Sequence, residues 1–253
     1  MSLLSNIIFY SFASGVASLI GGVFLLGNNY LVRKFAIHFV SFSAGTLLAT
    51  AFIDLLPEAF SINNNSVSPA TLLVAAMIGM LVFFILEHLL LRFQNNCYNE
   101  NHENHKHSTP VLLNIGDGLH NFIDGVVLAG AFISSPGLGI LTAIAIAAHE
   151  IPQEISDFSL MLNAGWSNKK VLMSNVLVSL TNVAGAVATY VIRDSIEPYL
   201  PYLLATTAGI FIYIAAANLF PQLNGDKPDK PLHIVALLLL GVVFVWILSR
   251  WIA

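Results

Sequence analysis

Charged side chains are scarce in this 253-residue chain: Asp, Glu, Lys and Arg together make up 9% of it, against about a quarter in soluble domains. That excludes a surface facing water on all sides. Cysteine is almost absent. Cys97 stands alone, which excludes an internal disulfide and a Cys-rich metal cluster. There is no basic block and the net charge is −4, so nucleic acid is not an expected partner. The first 26 residues contain neither Lys nor Arg; they read as a membrane span rather than a cleaved signal peptide. What is present is apolar. Hydrophobic residues make up 57% of the chain and recur in long runs, so a lipid bilayer is its main solvent.

Breaking the sequence at its polar clusters predicts an all-α polytopic membrane protein, one transmembrane domain over residues 1–253. Its eight spans run over roughly 5–26, 35–60, 68–93, 110–134, 137–163, 169–193, 198–222 and 231–252, each long enough for ~30 Å of hydrocarbon. The breaks carry stop signals such as Ser134-Ser135-Pro136-Gly137, and Asn163 with Gly165. Arg33, Lys34, Arg92, Lys106, Lys169, Lys170, Lys227 and Lys230 then fall on one side, and Arg193 and Arg250 on the other. The positive-inside rule makes the crowded side cytoplasmic and puts both termini outside. Residues 94–109 form the expected third loop, which is cytoplasmic and contains Cys97, His102, His105 and His107. Three histidines so close together are candidates for transient metal binding.

Two stretches echo each other. Gly45–Ala59 reads GTLLATAFIDLLPEA and Gly209–Leu223 reads GIFIYIAAANLFPQL. Both place Gly nine residues before Asp or Asn, then two apolar residues, Pro, and Glu or Gln. They lie in spans 2 and 7, which cross in opposite directions. That is the mark of an inverted repeat, here helices 1–3 and 6–8 around central helices 4 and 5, and it implies alternating access.

Spans 4 and 5 carry polar residues where lipid should be. A carboxylate at the bilayer centre costs ~2.5–3.5 kcal/mol on insertion scales, and intramembrane acids are functional by default. Asp117, His120, Asn121 and Asp124 are spaced i, i+3, i+4, i+7 and share one helix face. Glu150, Gln153, Glu154 and Asp157 repeat the pattern, with His149 bordering it. At 1.5 Å rise, His120 lies about 15 Å above the inner end of its span and His149 about 18 Å below the outer end of its own, so both reach mid-depth. The short connection favours antiparallel neighbours. We expect His120 and Asn121 to face Glu150 and Glu154, Asp124 to approach His149, and Asp117 to approach Asp157. Such a load of acids needs a cation. Imidazole and carboxylate without thiolate suit Zn²⁺, Mn²⁺ or Fe²⁺, and Asn121 and Gln153 can add neutral oxygen ligands. Pro152 frees the Ala148 carbonyl in mid-helix. Gly125 and Gly130 permit close helix approach. Asp54 near the outer end of span 2 is a candidate entrance residue, Asp117 and Asp157 are candidate exit residues, and Glu87 and His88 read as snorkelling side chains.

At these residues the sequence resembles the ZIP (Zrt-/Irt-like protein) family of metal transporters. Gly116-Asp117-Gly118-Leu119-His120-Asn121-Phe122-Ile123-Asp124-Gly125 fits its fourth-helix motif, and His149-Glu150-Ile151-Pro152-Gln153-Glu154 its fifth. The version is closest to the subfamily with a HEIPHE-type fifth helix. The resemblance covers the whole chain. It implies a binuclear midplane site: His120, Asp124, His149 and Glu154 around one ion, and Asn121, Asp124, Glu150 and Glu154 around its neighbour. Asn182 occupies the place of a span-6 ligand. Leu47 stands at a span-2 ligand position and cannot coordinate, Gln153 replaces a histidine, and Thr50 and Asp54 replace Asp and His. The resemblance further implies that spans 1, 4, 5 and 6 move against 2, 3, 7 and 8, and that the chain forms a homodimer.

The expected function is uptake of a divalent transition metal into the cytoplasm, Zn²⁺ first, with Cd²⁺, Fe²⁺ or Mn²⁺ as further cargo. The runner-up is an intramembrane zinc-dependent hydrolase. It is weakened because His149-Glu150-Ile151-Pro152-Gln153 lacks the second histidine of the zinc-protease signature. A proton-coupled carrier of an organic substrate would need cationic contacts, and the seam has no Lys or Arg. A compact chain without a large outer domain fits a bacterial inner membrane.

Overall fold

The computed structural model describes residues 2–27, 29–62, 67–99, 105–223 and 231–252. Its secondary structure is helical throughout these residues. They form eight long helical segments, named here in chain order. These are α1 (Leu3–Gly27), α2 (Asn29–Ala49, running on through Thr50–Leu55 into Leu56–Ser61), α3 (Pro69–Asn99), α4 (His105–Ser134), α5 (Pro136–Asn163), α6 (Asn168–Val191), α7 (Leu200–Tyr213, running on through Ile214–Leu219 into Phe220–Leu223) and α8 (Pro231–Ile252). Short turns at Arg193–Ile196 and Glu197–Tyr199 lead into α7. Among the described residues, six stretches are long and apolar enough to cross a membrane: Leu3–Ile20, Ile37–Ser61, Pro69–Leu89, Asn168–Val191, Arg193–Leu219 and Leu232–Trp251. The other two long helices, α4 and α5, are those that carry the acids and imidazoles.

Burial divides the helices into rim and centre. Along α8 the exposed residues include Leu239, Leu240, Val243 and Trp246, and along α3 Leu73, Met77, Leu81 and Ile85. Such faces suit lipid rather than water. The polar side chains point the other way, with Asp124, His149, Glu150 and Glu154 each 1% exposed. This is a multi-pass membrane protein with an apolar outside and a polar seam within.

The seam is set up by a tight connection. Ser135 alone separates α4 from α5. Pro136 opens α5 at a position where its missing N–H costs nothing, and the Ser135 hydroxyl caps the Leu138 N–H at 3.2 Å. So short a link leaves α4 and α5 antiparallel and adjacent. At the far end of α5, Gly165 takes φ +88°. Gly165 N–H bonds to Leu162 and Trp166 N–H to Met161, the paired C-terminal cap that a left-handed residue makes available.

Two π-helical segments interrupt α2 and α7, at Thr50–Leu55 and Ile214–Leu219. The register that aligns Gly45 with Gly209 also aligns these segments and the prolines that follow them, Pro57 and Pro221. A proline removes one N–H and crowds the carbonyl four residues back. A wider turn, with Leu56 N–H bonded to Ala51 and Phe220 N–H to Ala215, absorbs that crowding.

Glycines pair in a similar way. Gly45 of α2 lies against the Leu238 backbone of α8, and Gly241 of α8 against Phe42 of α2; Gly209 of α7 lies against Ala76 of α3, and Gly79 of α3 against Thr206 of α7. An added Cβ would collide with backbone at each, so these two helix pairs pack with backbones in contact. Gly125 of α4 meets Asn182 and Ala186 of α6, and Gly130 meets Leu203. The closest helix partners are α2 with α8, α3 with α7, α1 with α5, and α4 with α6.

Part of the expected 94–109 loop is helical: α3 continues to Asn99 and α4 begins at His105. His105 and His107 therefore lie on the first turn of α4, and His102 lies outside the described residues.

Candidate functional site

Four ligand atoms converge between α4 and α5. One atom each from His120, Asp124, His149 and Glu150 lies within 4.8 Å of all the others, and all four residues are buried or nearly so. His149 Nε2 is 3.2 Å from Asp124 Oδ2 and 3.8 Å from Glu150 Oε1. His120 Nε2 is 3.4 Å from Glu150 Oε1, 3.7 Å from Asp124 Oδ2 and 3.2 Å from His149 Nε2. A tetrahedral cation with bonds of about 2.1 Å needs ligand atoms about 3.4 Å apart. Five of the six spacings straddle that value and the sixth, between the two carboxylates, is within 4.8 Å, so the four atoms can converge on one tetrahedral ion.

The imidazoles are held from behind. His149 Nδ1 lies 3.1 Å from the Ala145 carbonyl. Donation to that carbonyl puts the proton on Nδ1 and leaves the Nε2 lone pair facing the cluster, the usual arrangement for a metal-binding histidine. His120 packs edge-on against Phe83 of α3, with centroids 5.4 Å apart, and His149 against Phe211 of α7 at 6.0 Å. These aromatic walls come from helices other than α4 and α5, so periodicity within those two gave no sign of them.

Acceptors surround the cluster. Both oxygens of Glu154, Glu150 Oε2, Asn121 Oδ1 and Asp117 Oδ2 are buried without a hydrogen-bond partner among the described residues, while Glu150 Oε1 and Asp124 Oδ2 face the imidazoles. So many orphaned oxygens in a bilayer interior are costly unless a cation or water answers them.

Asp124 reaches His149, and His120 reaches Glu150, as the helical spacing implies. Glu150, expected beside the second ion, joins the group of four in place of Glu154. Glu154 lies one helical turn, about 5.4 Å, further along α5, and it is buried. Asp117 is held by amides: Gln153 Nε2 donates to its Oδ1 at 3.0 Å and Asn121 Nδ2 at 3.1 Å. Gln153 thus spends its donor on Asp117, while Asp157 is buried nearby on the same face of α5. Asn182 is buried, but its Oδ1 accepts from Ser11 of α1 at 2.7 Å, which ties α1 to α6 and engages the oxygen a metal would use. Leu47 is fully buried. Asp54 lies in the π-turn of α2 and accepts from Ser249 of α8 at 2.6 Å. Glu87 does not snorkel; it accepts from Tyr213 of α7 at 2.7 Å. Ser43 of α2 donates to the Ala148 carbonyl, a contact the sequence did not announce.

Fold and site together define a polytopic helical membrane protein with an N₂O₂ donor set buried between two adjacent helices. Residues 4–112 and 110–249 match the ZIP zinc transporter family, and the chain belongs to that family. It is 31% identical to zinc transporter ZIP13 of Pongo abelii over 84% of this chain and 66% of that protein. An uncharacterized zinc transporter of Schizosaccharomyces pombe is 30% identical, with 73% of this chain and 56% of that protein covered. Zinc transporter ZIP4 of Homo sapiens is 32% identical over 54% of this chain and 21% of that protein. The chain thus spans between about a fifth and two thirds of these relatives.

Proposed function

We propose that this protein carries divalent transition metal ions, zinc first, across a membrane through the cluster of His120, Asp124, His149 and Glu150. The observation that carries the reading is the convergence of these four buried ligand atoms within 4.8 Å, at spacings suited to a tetrahedral ion. Two imidazoles and two carboxylates without thiolate favour zinc over the harder manganese and disfavour Cu(I). Zinc transporters among the relatives support the same choice.

We assign a second ion to the unpaired oxygens of Asn121, Glu150 and Glu154, with Asp124 and Glu150 shared between the two. We assign Asp117 and Asp157, further towards the proposed cytoplasmic side, to the exit route and Asp54 to the entrance. Ligands must be deprotonated to bind, so protons compete with the metal at every step.

Alternating access is supported by the pairing of helices. Exchanging helices 1–3 with 6–8 and 4 with 5 turns the α2–α8 pair into α7–α3 and the α1–α5 pair into α6–α4, which are the pairs that pack most closely. The matched glycines and π-turns obey the same exchange. We infer an inverted repeat of eight spans in which α1, α4, α5 and α6 move against α2, α3, α7 and α8. Both termini are proposed outside, from the distribution of Lys and Arg, with flux into the cytoplasm. The protein is further proposed to work as a homodimer. The relatives cited are eukaryotic and lend nothing to a bacterial inner membrane. The family match gives the hydrolase alternative no support.

The test is zinc flux into sealed proteoliposomes. Protein-dependent uptake that disappears in His149→Ala is expected. Equal uptake by the variant would refute the assigned route.

A further inference from the structure

Pro152 lies in the middle of α5 and has no N–H, so the Ala148 carbonyl lacks a donor within its own helix. Inside a bilayer no water replaces that donor. The hydroxyl of Ser43, on α2, donates to this carbonyl. Several buried serines bond back along their own helix, as Ser41 does to Ile37, Ser14 to Ser11 and Ser18 to Gly15. Ser43, like Ser11 with Asn182, reaches across to another helix, and it is 1% exposed. The carbonyl it holds belongs to the peptide bond leading into His149. The ring of the same histidine is tied by Nδ1 to the Ala145 carbonyl. Ring and backbone of His149 are thus fixed by two separate bonds, the second supplied from another helix.

We infer that Ser43 is a positioning residue for the cation cluster. Its hydroxyl replaces the donor that Pro152 removes, and so holds the 148–149 peptide in the orientation that sets His149 and Glu150 at their tetrahedral spacing. This rests on reading the cluster as a zinc site. The bond also joins α2 to α5, which the proposed transport cycle moves past each other, so it belongs to one end of the cycle and breaks at the other.

The test is a double-mutant cycle on the purified full-length protein, read as zinc affinity by competition with a chelating dye. Ser43→Ala should weaken zinc binding about threefold to fifteenfold, the effect of one interhelical hydrogen bond in a membrane protein; Ser43→Thr, which keeps the hydroxyl, should bind as the parent does. Pro152→Ala returns an N–H to the Ala148 carbonyl. In that background Ser43→Ala should change nothing. Equal losses from Ser43→Ala in both backgrounds, no loss in the parent, or loss of zinc on Pro152→Ala alone would overturn the inference. His120→Ala separates the two levels. If it loses zinc while Ser43→Ala does not, the cluster stands and the role of Ser43 fails; if it retains zinc, the site reading itself fails.

Discussion

Replacing His120 by Ala removes one of the four ligand atoms and leaves the other three in place. The size of the loss follows from the geometry. Zinc held by four protein ligands gains about 10–16 kcal/mol at neutral pH, or roughly 2.5–4 kcal/mol per ligand if shared evenly. At 1.4 kcal/mol per decade that is a loss of about 10²- to 10³-fold in affinity. His120 is the more accessible imidazole, with its side chain 11% exposed against 1% for His149. Water can therefore enter the vacated position, and the low end of the range is expected for His120→Ala. His149→Ala, in a drier place and with its tie to Ala145 lost as well, belongs at the high end. The assay is competition for zinc against a chelating dye, with the protein purified in detergent. Thermal unfolding of the metal-free variants checks that they fold. If folded His120→Ala binds zinc within about threefold of the parent, well under one decade, the four-atom site is not where zinc sits.

Gln153 yields a different pattern. Its amide holds Asp117, which is outside the cluster of four, and it contributes no atom to that cluster, so Gln153→Ala should leave zinc affinity within about one decade of the parent. Gln153→His adds an imidazole, and competition uptake should show zinc favoured further over manganese. Among the glycines, Gly45→Ala and Gly209→Ala each drive a methyl into the backbone of the neighbouring helix. Each should cost about 1–3 kcal/mol, read as a lower unfolding temperature in detergent. Gly118→Ala is the control, because its Cβ would meet only Thr181 Cγ2 at 3.9 Å.

Some of this structure was legible along the chain and some was not, for physical reasons. The stripes on α4 and α5 were legible because helical spacing fixes which residues share a face, and Ser135-Pro136 then left those faces little choice but to meet. Which carboxylate completes the cluster was not. Glu150 and Glu154 lie one turn apart on the same helix, and only the placement of α4 against α5 brings Glu150 into the group. The likeness between the stretches that begin at Gly45 and Gly209 extends to backbone shape, in the π-turns before Pro57 and Pro221. Helix α3 runs past its expected end at residue 93 to Asn99, because asparagines such as Asn95 and Asn96 are weak stops for a helix already propagating. Pro152 announced an orphaned carbonyl, but its partner lies more than a hundred residues upstream at Ser43. Glu87 and Tyr213, and Asp54 and Ser249, pair across helices in the same way. Such contacts belong to the packing and have no local signature.

X-ray absorption at the zinc edge of the loaded, purified protein tests the central assignment most directly. Zinc in the buried cluster should show low coordination by nitrogen and oxygen at about 2.0–2.1 Å, with imidazole scattering that weakens in His149→Ala. A six-coordinate shell of oxygen alone, a sulfur at about 2.3 Å from Cys97, or a spectrum unchanged by His149→Ala would contradict it.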